Sequence, residues 1–270
     1  MMDERKALDT KASSLMIVLC MIWGLQQVIL KMAAPDISPL MQIALRSGLA
    51  ALLLLPLLYF DKASQLLNLQ NLKAGALVAF LFSLEFFLLA QALQFTSASH
   101  AVVLLYTAPI FVALGLHWKL PSERLSVLQW SGIAIAFFGI VVTFIRAKPN
   151  ASSMLEQHML WGDLLALAAA IAWAATTITV RLSSLAQAAV TQTLFYQLSG
   201  SFVLLFGLAI FMGQANINFT PLVLGSLAFH TLVVSFASFL AWFWLLRNYL
   251  ASRLGVFSFL TPLFGMAFGM

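Results

Sequence analysis

Long apolar blocks alternate with short polar breaks along this chain from end to end. Nine blocks can be drawn, approximately 14–32, 40–59, 73–94, 98–118, 126–145, 160–181, 190–212, 222–247 and 253–270. Each holds about 18 to 25 residues, enough at 1.5 Å per residue to cross a hydrocarbon core roughly 30 Å thick. Nine membrane-crossing helices are therefore predicted, an all-α polytopic bundle. The breaks carry turn-forming chemistry: Pro35-Asp36 with Pro39, Asp61-Lys62, Pro121-Ser122-Glu123-Arg124, Pro149-Asn150, and the stretch from Gln214 to Pro221. None is long enough to be a separate domain.

Two blocks share more than hydrophobicity. Ser97 to Lys119 and Ala251 to Met270 each carry a proline in mid-block, and setting Pro109 against Pro262 also aligns Ala98 with Ala251, Ser99 with Ser252 and Phe111 with Phe264, a single offset of 153. A proline inside a helix removes one backbone hydrogen bond and crowds the carbonyl four residues earlier, here Leu105 and Ser258, which in soluble helices costs roughly 3 kcal/mol. In hydrocarbon the freed carbonyl needs protein or a water-filled cavity beside it. Matching helix breaks thus point to a transport site near mid-membrane, with packing kinks as the plainer alternative. The first and sixth blocks align as well, Trp23 with Trp173 and Lys31 with Arg181 at an offset of 150, which sets Gln26 and Gln27 against Thr176 and Thr177. The third and eighth align loosely. Five helices per repeat is an odd number, so the second copy enters the membrane from the opposite side. The expected organisation is two inverted repeats, 1–148 and 149–270, the second incomplete.

Composition agrees with lipid as the solvent: 62% of the 270 residues are hydrophobic and 9% charged, with a mean hydropathy of +0.99. The basic excess, 14 against 9, sits in short breaks and forms no continuous patch suited to nucleic acid. It speaks instead of orientation. With the N-terminus inside, Arg5, Lys6, Lys11, Lys62, Lys73, Lys119, Arg124, Arg181, Arg247 and Arg253 fall on the cytoplasmic side, while Lys31, Arg46, Arg146 and Lys148 fall outside or within the membrane. Trp118, Trp130, Trp161, Trp242 and Trp244 lie near block ends, where interfacial anchors are expected. The single cysteine, Cys20, permits no intramolecular disulfide. Lys6, Lys11 and the apolar run to Met32-Ala33-Ala34 have the outline of a signal peptide. The run is long for one and has an internal counterpart, so a retained first helix is expected.

These features resemble the drug/metabolite transporter superfamily, in particular its EamA-type carriers. The residues that carry the resemblance are Met21-Ile22-Trp23-Gly24, Thr107-Ala108-Pro109-Ile110-Phe111, Leu260-Thr261-Pro262-Leu263-Phe264, and Gly132 through Gly139. The resemblance implies two five-helix inverted repeats and export or exchange of small metabolites, often amino acids, with no ATP-binding part. It implies ten helices, whereas Met270 falls in the ninth, without the expected Glu-containing turn and final helix.

Candidate chemistry is sparse. Glu85 is the acidic residue deep in a predicted helix. A carboxylate there faces a cavity, finds a partner or holds a proton, and one that exchanges a proton between two access states would couple export to proton entry. Arg46 is placed to pair with it or to hold a substrate carboxylate, with snorkelling to the surface as the alternative. Trp23 and Trp173 fall near helix centres, each followed one turn later by polar groups. Trp23, Gln26, Gln27, Trp173, Thr176 and Thr177 would set donors and acceptors beside a flat apolar wall, an orienting site for a small zwitterion or amphipathic metabolite; helix packing is the alternative. Tyr106, Thr107, Ser258 and Thr261 are candidates for the same cavity, and His230 for a proton relay. Small residues such as Gly132, Ala136 and Gly139 recur at helix-face spacing and permit close helix approach.

No phosphate-binding loop, H-E-x-x-H or nucleophile elbow occurs. His158 and Asp163 have the spacing of a membrane acyltransferase motif, in which His158 would be a general base. Asn150-Ala151-Ser152 and Asn218-Phe219-Thr220 match glycosylation sequons. The expected function is a secondary transporter in a bacterial inner membrane, with no enzyme activity, cofactor or metal. Its partners would be a small metabolite, the lipid bilayer and protons as candidate coupling ion; oligomeric state stays open. The alternatives are a membrane sensor or scaffold and, more remotely, the acyltransferase.

Overall fold

The structure, a computed structural model, describes residues 6–60, 68–146 and 153–268. Asp61-Lys62, Pro149-Asn150 and the sequon at Asn150-Ala151-Ser152 lie outside the described residues. The apolar blocks are helices: α1 Thr10–Ala33, α2 Pro39–Phe60, α3 Leu69–Ala92, α4 Ala98–Leu105, α5 Ala108–Lys119, α6 Val127–Arg146, α7 Ser153–Leu182, α8 Val190–Phe211, α9 Pro221–Phe229, α10 Phe239–Asn248, α11 Ala251–Phe257 and α12 Leu260–Ala267. A π-helical stretch, His230–Ser238, fuses α9 to α10. Among the described residues, seven segments are long and apolar enough to cross a membrane, with α4 and α5 acting as one and α9 to α10 as another. The remaining two blocks are α6 and the α11–α12 pair, so the nine-block reading is recovered as an all-α membrane bundle.

Polar breaks stop and start these helices in the expected way. Asp9 accepts from the Ala12 N–H at 2.8 Å, Ser97 from the His100 N–H at 3.2 Å, and Thr220 from the Val223 N–H at 3.3 Å, each filling one donor left over at a helix start. The prolines behave differently from expectation. Pro109 does not kink a continuous helix; α4 ends at Leu105 and Pro109 is the second residue of α5, where its missing N–H would have had no intrahelical partner. Likewise Pro262 lies in the first turn of α12, and the Ser258 carbonyl accepts from the Thr261 N–H at 3.0 Å. Each proline block is thus two short helices joined by a two-residue break.

The two halves run in opposite directions. Ser38 at the head of α2 donates its hydroxyl to the Gln214 carbonyl beyond the tail of α8 at 2.9 Å, so these equivalent helices are antiparallel. The start of α11 meets the end of the α4–α5 pair in the same sense. Each repeat's first helix packs along the other's broken helix, α1 on α11 and α12, α7 on α4 and α5. Gly24 makes the first packing possible, since a Cβ there would stand 2.9 Å from the Gly265 amide nitrogen. Large apolar side chains such as Leu52, Phe60, Leu128 and Phe211 face outward, as lipid-facing positions should. Below, the N face is the side on which α1 begins, and the far face is the other.

Candidate functional site

Four helices send the same i, i+3, i+4 stripe to one point in the bundle. Trp23, Gln26 and Gln27 come from α1, Phe82, Glu85 and Phe86 from α3, Trp173, Thr176 and Thr177 from α7, and Phe239, Trp242 and Phe243 from α10. With Leu105, Tyr106, Val180, Gln197 and Leu246 they line a central cavity with about 60 Å³ of room for the centres of water molecules, enough for a few waters. Both halves of the chain contribute to it.

Aromatic rings form about half of its wall. Trp23 meets Trp242 edge to face, centroids 5.6 Å apart, and Tyr106 meets Trp173 at 5.2 Å. Phe82 packs on Phe86 at 4.8 Å and on Phe239 at 5.9 Å. Such pairs add about 0.5–1.5 kcal/mol beyond area burial and hold each other's ring angles. The Trp23 indole N–H donates to the Ser238 hydroxyl at 3.0 Å, inside the π-helical stretch.

The candidate charges sit beside this wall. Glu85 lines the cavity and its Oε2 has no hydrogen-bond partner. Arg46 is 1% exposed, so the snorkelling alternative does not occur. Its Nη1 donates to Gln26 Oε1 at 2.8 Å and its guanidinium lies 5.0 Å from the centre of the Phe86 ring, while Nε and Nη2 are unpartnered. Gln26 therefore stands between Arg46 and the cavity. His230, fully buried, lies behind the same residue: one ring nitrogen is 3.2 Å from the Gln26 carbonyl and the other 2.7 Å from that of Ser226. Gln42 reaches both Ser226 and His230.

Of the residues picked from the sequence, Trp23, Gln26, Gln27, Tyr106, Trp173, Thr176 and Thr177 meet at the cavity together with Glu85. Arg46 and His230 form a layer behind it. Thr107 and Ser258 do not line it. The Thr107 hydroxyl is spent on the Leu104 carbonyl at 2.6 Å, and Ser258 is buried at the α11–α12 break. Trp242 corrects an expectation: it is 9% exposed and forms cavity wall, not an interfacial anchor, whereas Trp118 and Trp161 are exposed. The acyltransferase spacing dissolves too. Asp163 accepts from the Thr96 hydroxyl at 2.7 Å and stands 3.5 Å from His100, while His158 packs on Phe95.

The cavity's two ends differ. Toward the far face, Gln27 also lines a vestibule of about 560 Å³ bounded by Leu30, Lys31, Leu89, Leu93 and Gln94. Toward the N face, Val180, Phe243 and Leu246 form a floor above a gap of about 10 Å³, and beyond that gap Val190 and Arg247 border an outer pocket of about 520 Å³. Under that floor lies an ion pair that sequence reasoning missed. Glu123, in the turn after α5, is fully buried and accepts from Arg181 Nε at 2.9 Å and from Arg181 Nη2. It also accepts from the Ala251 and Ser252 N–H groups, both at 3.0 Å, and from the Ser252 hydroxyl at 2.6 Å.

The sequence pattern of the EamA-like transporter family matches residues 10–145 and 160–270. An uncharacterized transporter of Bacillus subtilis, YoaV, is 27% identical over 250 residues, 92% of this chain and 84% of its own. An uncharacterized transporter of Archaeoglobus fulgidus is 24% identical over 97% of this chain and 89% of its own. A probable amino-acid metabolite efflux pump of Escherichia coli is 31% identical over 63% of this chain and 54% of its own. A crystal structure superimposes with a TM-score of 0.77 over 97% of this chain and 88% of its own, at 16% identity, a likeness of fold.

Proposed function

We propose that this chain, which belongs to the EamA-like transporter family, is a secondary carrier that exports or exchanges small organic metabolites, amino acids first among them, by alternating access. That it is an integral multi-pass membrane transporter follows from the family. The finer reading is supported by one observation: a cavity lined by both halves shares Gln27 with a pocket of about 560 Å³ toward the far face, and is floored toward the N face by Val180, Phe243 and Leu246 over a gap of about 10 Å³. Inverted repeats, here 1–148 and 149–270, have a second arrangement available in which the open and closed ends exchange. With the N face cytoplasmic, in a bacterial inner membrane, the pocket beside Gln27 would be the outward vestibule of such a carrier.

In this mechanism the substrate's apolar body lies among Trp23, Trp173, Tyr106 and Trp242, and its polar groups meet Gln26, Gln27, Thr176 and Thr177. Glu85 takes up and releases a proton between the two access states, with Arg46 held beside it as a fixed charge. The breaks before Pro109 and Pro262 give the two broken helices their bending points. The name of the Escherichia coli relative supports amino acids as the first probe. Counterflow tests the proposal. Proteoliposomes loaded with a mixture of the common amino acids should accumulate trace radiolabelled amino acid faster than empty ones, and the gain should depend on pH. Binding without accelerated exchange would instead favour a sensor.

A further inference from the structure

Glu123 is an expensive residue to bury. Removing a carboxylate and a guanidinium from water costs several kcal/mol per ion, and such pairs often contribute little net stability; their best-attested use is to specify one arrangement over another. The alternative arrangement here can be named from what the carboxylate ties together. Arg181 sits at the end of α7, immediately after Val180, which forms the cavity floor. Ala251 and Ser252 begin α11, one half of the second broken helix. Glu123 itself lies four residues beyond the end of α5, half of the first. One turn into α11, Gly255 packs on Pro109, where an added Cβ would approach the proline ring at 3.3 Å. Both broken helices and the α7 wall are therefore pinned at a single point, under the end of the cavity that is shut. Lys31, which aligns with Arg181, is exposed and borders the far-face vestibule.

We propose that Glu123 is the latch of the N face. While its carboxylate holds Arg181 and the head of α11, the ends of α5, α7 and α11 are drawn together and the floor formed by Val180 stays closed. Opening to the N face requires the carboxylate to give up the α11 amides and hydroxyl, so that α11 swings away about its break at Ser258-Phe259 while α5 moves about Tyr106-Thr107. Because α7 carries Trp173, Thr176, Thr177 and Val180 on one stripe directly above Arg181, occupancy of the cavity is felt at the latch through a single rigid helix. This inference rests on the alternating-access reading and names its control point.

The test uses the full chain with Cys20 replaced by alanine and one reporter cysteine, at Val180 for the floor or at Gln27 for the vestibule. Membrane-impermeant maleimide is applied from one side at a time to oriented proteoliposomes. Glu123→Gln should raise N-side labelling of V180C about tenfold and lower far-side labelling of Q27C. Ser252→Ala, which removes one of the five hydrogen bonds, should shift both in the same directions by a smaller factor and covers the case in which Glu123→Gln does not fold. Unchanged rates in folded variants would overturn the latch. So would a rise of both rates together, which would mark the pair as packing only. The labelling needs no substrate. A shift in wild-type-like protein that shows no counterflow leaves the latch standing and removes the carrier reading; counterflow without the shift does the reverse.

Discussion

The two faces of the bundle are joined by similar groups under opposite conditions. At the N face a fully buried carboxylate, Glu123, accepts five hydrogen bonds beneath a gap of about 10 Å³. At the far face Asp36 accepts from the Asn218 side chain at 2.8 Å and from the Thr220 hydroxyl at 3.2 Å, beside a vestibule of about 560 Å³. Both link a loop of the first half to an element of the second. Water reaches the Asp36 lash and competes for each of its bonds, so it is worth little. Glu123 has no such competitor, and its bonds are lost only if three chain segments part. What distinguishes a fastening from a decoration is therefore exclusion of water, not the count of charged groups.

The sharpest way to break this contrast is to remove the carboxylate. Glu123→Ala leaves the Arg181 charge buried without its partner and should cost about 3–5 kcal/mol, read as a large fall in unfolding temperature in detergent. Between the two faces, Glu85→Gln should abolish the pH dependence of counterflow while leaving membrane insertion intact; an unaltered pH profile would remove Glu85 from the mechanism. Trp23→Ala and Trp173→Ala should each weaken binding of a transported amino acid about tenfold, near the 1.4 kcal/mol scale of an aromatic contact. Wild-type affinity in both would make them packing residues. Asp36→Ala should change stability by no more than about 0–1 kcal/mol, and a loss as large as that of Glu123→Ala would erase the distinction between the faces.

The smallest effect concerns Asp9, at the rim of the N face. The Ala12 backbone N–H and then the Tyr249 hydroxyl hold its carboxyl below the usual range. A carboxyl lowered on folding contributes stability that is fully present above its unfolded value, about 3.9, and lost as pH falls through the folded one. The melting temperature should therefore lose a small increment only in acid, and Asp9→Asn should flatten that part of the profile.

Most of the architecture could be read from residue order. The apolar blocks mark their helices to within a few residues, except at α7, which begins at Ser153, ahead of the expected 160. The offsets of 150 and 153 set α1 against α7 and the α4–α5 pair against α11–α12. The wall of the cavity was legible where polar groups interrupt an apolar stripe at helical spacing, as at Gln26, Gln27, Thr176 and Thr177. Trp242 was not, because depth was judged from its own helix: five residues from a predicted end it looked interfacial, and only its packing on Trp23 puts it inside. Glu123 was hidden by its neighbours. In Pro121-Ser122-Glu123-Arg124 it has the composition of a solvated turn, and nothing local signals that Arg181, 58 positions away, covers it. Its one trace was the alignment of Arg181 with Lys31, which marked a basic position at the end of both first helices. The π-helical stretch at His230–Ser238, which packs against α1 and α2, has no simple sequence mark either.

The central claim is that one cavity is reached from one face at a time. It is tested most directly by following thiol reactivity at Leu30→Cys, which lines the vestibule but not the cavity, from the far face and at Val180→Cys from the N face, in the cysteine-free protein with Glu123 intact, while an amino-acid mixture that supports counterflow is added. The account predicts opposite changes: far-side labelling at position 30 falls as N-side labelling at position 180 rises. Rates that rise and fall together, or a floor that never becomes accessible while flux continues, would contradict it.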